Sequence, residues 1–453
     1  MRFLRLGTAG MRGEIGSGLT PTLATQFATA LGTYLEGGTV VLASDTRYSS
    51  EMLTNAAQAA LLSCGANVLR AGVCPAPLLH FMVPHLKADG GLLIGAGHHP
   101  AGWNALAPLG RNGACFNAVQ TQSLLDIYHS GRYRAAAWNQ IGSASSLPDK
   151  LVDAYLDALC AQLDCEAIAA RQFKVIADFC NGSGSVLGAR FASRLGLQLL
   201  SINDTRSGVL PHDPEPRPRS SVQVQSLMRH LKADAGFVFN SDMSRVAVVS
   251  SAGETLSEEY SFPLVADHFL GRKLKSPTLV TNWCTTRTLD EVAKRHGAQI
   301  IKTKVGQAPV IDAMISSNAC LGGDGSGSVS IGCGVRGFDG CAAMGLILES
   351  MALRSCSSAA LAEALPRHHL VKHKVSCRSV HAYSLIRNLR THFPEAKLSE
   401  EDGIRLDWPS GWVHFRASVT EPVVRMIVEW STREEAENVA MQMRGLIERL
   451  VAS

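Results

Sequence analysis

The chain lacks an excess of charge of either sign: 43 Lys and Arg stand against 39 Asp and Glu in 453 residues, a formal net charge of +4. So weak and dispersed a balance argues against nucleic acid or an anionic membrane as the partner. No apolar run approaches the ~18 residues of a membrane span. The opening Met1 to Gly10 has no apolar signal-peptide core, so the expected location is the cytoplasm. The twelve cysteines include no C-x-x-C pair, and several sit in apolar runs such as Ala60 to Cys64 and Gly340 to Met344. They read as reduced core residues, which suits the same compartment. Two nucleotide signatures are missing as well. Leu321 to Ser328 is glycine-rich but is not closed by Gly-Lys-Ser/Thr, and Gly182-Ser-Gly184 lacks the dinucleotide glycine spacing.

What remains is apolar enough to fold, at 46% apolar and 18% charged residues. At roughly 150 residues per domain the length predicts three domains or four. Glycine punctuates the pattern. Helical spacing over Thr22 to Leu35 ends at Gly37-Gly38, before the strand-like Thr39 to Ala43; Ser50 to Cys64 ends at Gly65, before Asn67 to Ala71. The same order recurs at Phe191 to Ile202 around Gly196 and at Leu289 to Lys302 around Gly297. A helix closed by glycine and followed at once by a strand predicts repeated α/β units. The end differs. Arg367 to Arg378 reads as a linker or exposed edge, followed by strands at Trp412 to Arg416 and Arg425 to Trp430 and a helix over Thr432 to Arg449. The expected domains are 1–147, 148–250 and 251–366, all α/β, and an α+β domain over 367–453.

Polar segments follow several strands: Ser44 to Arg47, Asp178 to Gly184 and Asn240 to Arg245. Loops at the carboxyl ends of parallel strands commonly hold ligands, although each is also readable as an ordinary turn. Arg416, Ser418, Thr420 and Arg425 cluster around one turn, where guanidinium and hydroxyl donors suit phosphate; a plain hairpin with solvated arginines is the alternative. His98 and His99 lie in a glycine loop, either as acid/base groups or as satisfied loop residues. Asp324 and Ser326 could meet sugar hydroxyls. Asn240, Asp242 and Ser244 offer a single carboxylate, fewer than Mg²⁺ normally takes.

The order of these loops resembles the α-D-phosphohexomutases, the phosphoglucomutases, phosphomannomutases and phosphoglucosamine mutases. The resemblance covers essentially the whole chain: Gly7 to Gly13, Ser44-Asp-Thr-Arg47, Asp178 to Gly184, Lys304-Val-Gly306, Phe338-Asp-Gly340, and Arg416-Ala-Ser-Val-Thr-Glu-Pro422. It implies four domains around a central cleft, and transfer of a phosphoryl group between C1 and C6 of a hexose through a bisphosphate. It also implies phosphate binding by Arg416, Ser418, Thr420 and Arg425, sugar contacts from Asp324 and Ser326, and cleft-facing Arg12, Arg47 and Arg245.

The departures fall on the transfer machinery. The family's phosphoserine loop reads Thr-Ala-Ser-His-Asn-Pro; here Gly95 to Pro100 places Gly97, which has no oxygen, at the serine. The metal loop Asp-Gly-Asp-x-Asp-Arg has become Asn240-Ser-Asp242-Met-Ser244-Arg245, so no cofactor is expected and the Mg²⁺ site is degenerate. The lysine after the first loop is absent, Asn104 being followed by Ala105, Leu106 and Ala107. On this reading the chain is not an active phosphoglucomutase or phosphomannomutase but a silent phosphosugar-binding homologue with a sensory or regulatory role. The alternatives are changed chemistry on a phosphosugar using His98 or His99, and a scaffold for a protein partner.

Overall fold

The computed structural model describes residues 4–272, 274–376, 388–389, 392–417 and 423–452. Three successive α/β units share one strand order. In the first, the sheet runs Trp103–Gly110, Gly90–Ile94, Thr39–Ser44, Asn67–Val73, with the hairpin Leu4–Gly7/Gly10–Glu14 added at one edge and Ala144–Ser146 at the other. The second runs Val246–Val249, Ala235–Phe239, Lys174–Asp178, Gln198–Ile202. The third runs Ser328–Ile331, Leu321–Asp324, Thr278–Asn282, Gln299–Thr303. In each, three parallel strands are extended by one antiparallel strand reached through a hairpin. The three hairpin loops are 95–102, 240–245 and 325–327. The topology therefore puts the loops that carry Gly97, Asp242 and Ser326 at equivalent places.

Local sequence explains the units. Thr20 caps the helix Pro21–Tyr34 through Leu23 N, proline sits in its first turn, and Ala24, Phe27, Ala28 and Leu31 form its buried stripe. Strands such as Gly90–Ile94 and Ala235–Phe239 are buried throughout, as expected where helices cover both faces of a parallel sheet. One core is continuous through the first three units, from Val41 and Leu79 through Phe237 and Val248 to Val329 and Leu346. Among the described residues no helix is long and apolar enough to cross a membrane. The eleven described cysteines are all free thiols.

The last domain has its own core, from Val375 through Phe415 and Val428 to Ile447. Its sheet runs His369–Ser376, Val423–Trp430, Gly411–Ala417, Ile404–Trp408, Lys397–Ser399, with the helix Arg433–Ala452 packed on it. Two strands are expected here from the sequence, and the described residues form five. Most of the basic segment 367–378 is an edge strand paired with Val423–Trp430, the exposed edge of its two expected readings. This domain is locked to the third at the start of the helix Arg287–Arg295. Buried Glu429 accepts hydrogen bonds from Arg287 N (2.8 Å), Thr286 Oγ1 and Trp412 Nε1, a carboxylate at a helix N-terminus. The Arg287 guanidinium donates to the carbonyls of Trp408, Pro409 and Gly411.

Candidate active site

The loop 95–102 is held from behind by Arg47. Its guanidinium donates to the carbonyls of Gly97 (3.1 Å), His99 (2.7 Å), Pro100 (2.7 Å) and Trp103 (3.3 Å), and pairs with Asp45 at 3.0 Å. Asp45 in turn accepts from Ala96 N and Ser50 Oγ. Arg47 is 3% exposed, so it faces the loop carbonyls and not the cleft expected of it. Removing one partner of a buried ion pair strands the other. Arg47→Ala is therefore expected to lower the unfolding free energy by about 3–5 kcal/mol in urea titrations. Lysine should recover little, because a point charge cannot reach four carbonyls and a carboxylate together.

Gly97 has φ +49°, a conformation that favours glycine, and a Cβ built on it would lie 2.5 Å from Asp242 Oδ2. The carboxylate thus stands in the space that a side chain at position 97 would need. Ser241 Oγ ties the two loops together by donating to Gly97 O (2.7 Å), and Ala76 N, at the start of the helix Ala76–His85, donates to Asp242 O (2.9 Å). Asp242 Oδ1 accepts from Asn240 Nδ2 (2.8 Å), Ser244 N (3.0 Å) and Ser244 Oγ (2.6 Å). Asp242 Oδ2 accepts nothing from a described residue.

This donor set does not fit Mg²⁺ held by protein oxygens. Asn240 Oδ1 is taken by Arg245 N, and the two residues standing for lost carboxylates point N–H and O–H groups at Asp242. Among the described residues no three His, Cys, Asp or Glu side chains gather around one point as metal ligands would.

The His98 and His99 rings lie 4.4 Å apart between centroids, tilted by 38°, and His99 stacks on Trp103. His99 Nδ1 donates to Ala96 O (2.9 Å), yet burial pulls its pKa down to about 4. His98 makes no hydrogen bond with a described residue. Its pKa is held well below the ordinary imidazole value by burial first, then by Arg245, His99, Arg12 and Arg217. It is a neutral base ringed by cations. Arg245 and Arg217 are bridged by Glu215, at 3.2 Å and 2.6 Å. Sequence reasoning missed Glu215 and Arg217, because Glu215-Pro-Arg-Pro-Arg219 carries no spacing that marks a site.

Arg12 has its pKa lowered by burial first, then by Arg5 and by Arg425 of the last domain. Arg416 and Arg425 lie directly opposite each other on paired strands, and Arg416 approaches Asp402 only to 3.9 Å. Ser418 and Thr420 lie outside the described residues. In the third loop Asp324 is buried, accepting from Ser326 N (3.0 Å) and Ser326 Oγ through Oδ1 and facing Asn282 Nδ2 (3.5 Å) through Oδ2. Asp324 and Ser326 are thus bonded to each other, and the Asp324 carboxylate is turned into the loop.

Three family models match in register with the three α/β units: phosphoglucomutase/phosphomannomutase α/β/α domain I over residues 4–135, domain II over 153–253 and domain III over 257–369. The chain belongs to the phosphoglucomutase/phosphomannomutase family. A probable phosphoglucosamine mutase of Thermococcus kodakarensis is 32% identical over 98% of this chain and 97% of that protein. A phosphoglucomutase/phosphomannomutase of the same organism is 31% identical over 95% of each. Among solved structures, a phosphoglucomutase/phosphomannomutase family protein of Burkholderia thailandensis superposes with a TM-score of 0.85 at 24% identity, over 98% of both chains. Family membership carries with it a phosphosugar-type ligand. The expectation that the chain is not an active phosphoglucomutase or phosphomannomutase is overturned by these matches, because the near-full-length similarity is to mutases and not to an inactive variant.

Proposed function

We propose that this chain is an enzyme moving a phosphoryl group on a hexose- or hexosamine-type phosphosugar, with His98 as its proton carrier and no covalent role for residue 97. The observation that carries this reading is the neutral His98 imidazole, without a hydrogen-bond partner among the described residues, set in the ring of Arg12, Arg217 and Arg245. A neutral imidazole can take the proton of an attacking sugar hydroxyl. The arriving phosphate dianion offsets the arginine charge and raises the imidazole's basicity when it is needed. The same arginines stabilise charge on the phosphoryl oxygens during transfer. Arg416 and Arg425 hold the phosphate that stays behind, through charge-assisted hydrogen bonds.

The degenerate loop 240–245 makes the reaction independent of Mg²⁺ on this reading, since arginines supply the positive charge that a metal otherwise would. A phosphosugar panel covering gluco, manno and 2-amino configurations identifies the substrate. His98→Ala is then expected to lower kcat by about 10²–10⁴-fold with substrate binding retained. His99→Ala, whose ring is committed to Ala96 O and Trp103, should cost far less. Equal losses in both variants, or none in either, would remove His98 from the mechanism.

A further inference from the structure

The two departures that disable a serine relay are spatially one feature. At position 97 a side chain is absent, and 2.5 Å from where its Cβ would be stands Asp242 Oδ2. At positions 240 and 244, Asn and Ser donate to Asp242 Oδ1, which with Ser244 N receives three hydrogen bonds. One oxygen is fixed and the other is left bare, pointing at the vacated position. Two further carboxylates here would repel an incoming phosphate; the amide and hydroxyl that replace them remove that repulsion and orient the nucleophile. Ser241 Oγ and Arg47 both grip Gly97 O, so the loop carrying His98 is registered against Asp242 to within a hydrogen bond.

Resting on the proposed reaction, we infer that Asp242 is the phosphoryl acceptor: its Oδ2 forms the covalent phosphoenzyme that residue 97 cannot. Carboxylates are competent phosphoryl carriers when oriented and relieved of competing charge. The cycle starts from the acyl phosphate, loaded by a hexose bisphosphate. A sugar hydroxyl attacks phosphorus, neutral His98 takes its proton, the new O–P bond forms, and the Oδ2–P bond breaks to restore the carboxylate. After the bisphosphate reorients, Oδ2 attacks the other phosphorus. The P–O bond to the sugar breaks, and the His98 imidazolium returns its proton to the departing oxygen. Atoms and charge balance over the two halves, with no oxidant, reductant or metal consumed.

The test labels the full-length protein with [32P]glucose 1,6-bisphosphate, or the bisphosphate of whichever hexose turns over. An acyl phosphate is stable in acid, is cleaved by neutral hydroxylamine, and leaves a hydroxamate that peptide mass spectrometry can place. The expected result is a hydroxylamine-labile label at Asp242, absent from Asp242→Asn and Asp242→Ala. The phosphoenzyme should discharge to sugar more slowly in His98→Ala. Asp242→Asn should still bind hexose 6-phosphate within about threefold of wild type by calorimetry, since Arg416 and Arg425 are untouched. Label on a serine or on a histidine other than His98, or Asp242→Asn turning over within tenfold of wild type, overturns the inference while leaving the proposed function standing; label on His98 overturns both. No turnover by the wild-type chain on any hexose phosphate overturns both.

Discussion

Gly97→Ser, which writes the family's serine back into the loop, is expected to lower phosphosugar turnover rather than raise it. Two costs fall on the new side chain. At φ +49° an L-residue is strained, by roughly 1–2 kcal/mol. Its Cβ would also lie 2.5 Å from Asp242 Oδ2, so the carboxylate must swing away and lose its hydrogen bonds to Asn240 and Ser244. Losing hydrogen bonds to a charged group costs about 1.5–3 kcal/mol. If the displaced Oδ2 is the group that accepts phosphate, a loss of about 100-fold in kcat is expected from misplacement alone. Gly97→Ala separates the contributions, because it adds the clash without a hydroxyl. Steady-state kinetics should find the two variants equally impaired. A serine variant well above both wild type and Gly97→Ala would mean that the loop still operates the older relay and that Asp242 moves aside at little cost.

Arg425→Ala is expected to raise KM for the phosphosugar by about 10–100-fold, the value of one or two charge-assisted hydrogen bonds, with a smaller change in kcat. Arg425 is opposed in register by Arg416, and its charge is felt by Arg12 of the first domain. The stabilisation of the protein against thermal unfolding by hexose 6-phosphate should shrink. A variant that loses kcat but keeps KM would place Arg425 at the transferring phosphate and not at the anchored one.

Much of the architecture was legible because glycine closes helices before strands in the first three units, and the helix Pro21–Tyr34 lies within a residue of its expected span. What the punctuation did not reveal is that the functional loops are hairpin loops at one topological place, since antiparallel partners such as Val246–Val249 and Ser328–Ile331 are four residues long. In the last domain a signal was present and unused. Asp402-Gly403, with Gly403 at φ +81°, is a turn dipeptide between Lys397–Ser399 and Ile404–Trp408. The site was legible as residue types but not as directions. Arg47 points into its loop and Asp324 into its own turn, and neither orientation follows from spacing. The empty position at Gly97 was visible from sequence; the carboxylate that stands in its place was not, because 145 positions separate Gly97 from Asp242.

On the proposed mechanism phosphoryl transfer runs without an oxygen at residue 97. The decisive experiment is ³¹P NMR of wild-type protein supplied with hexose 1-phosphates, a trace of the matching 1,6-bisphosphate and EDTA. Conversion to the 6-phosphate, persisting in the chelator and slowed about 10²–10⁴-fold by His98→Ala, is the predicted result. No conversion of any gluco, manno or 2-amino hexose phosphate, with or without Mg²⁺, would contradict it.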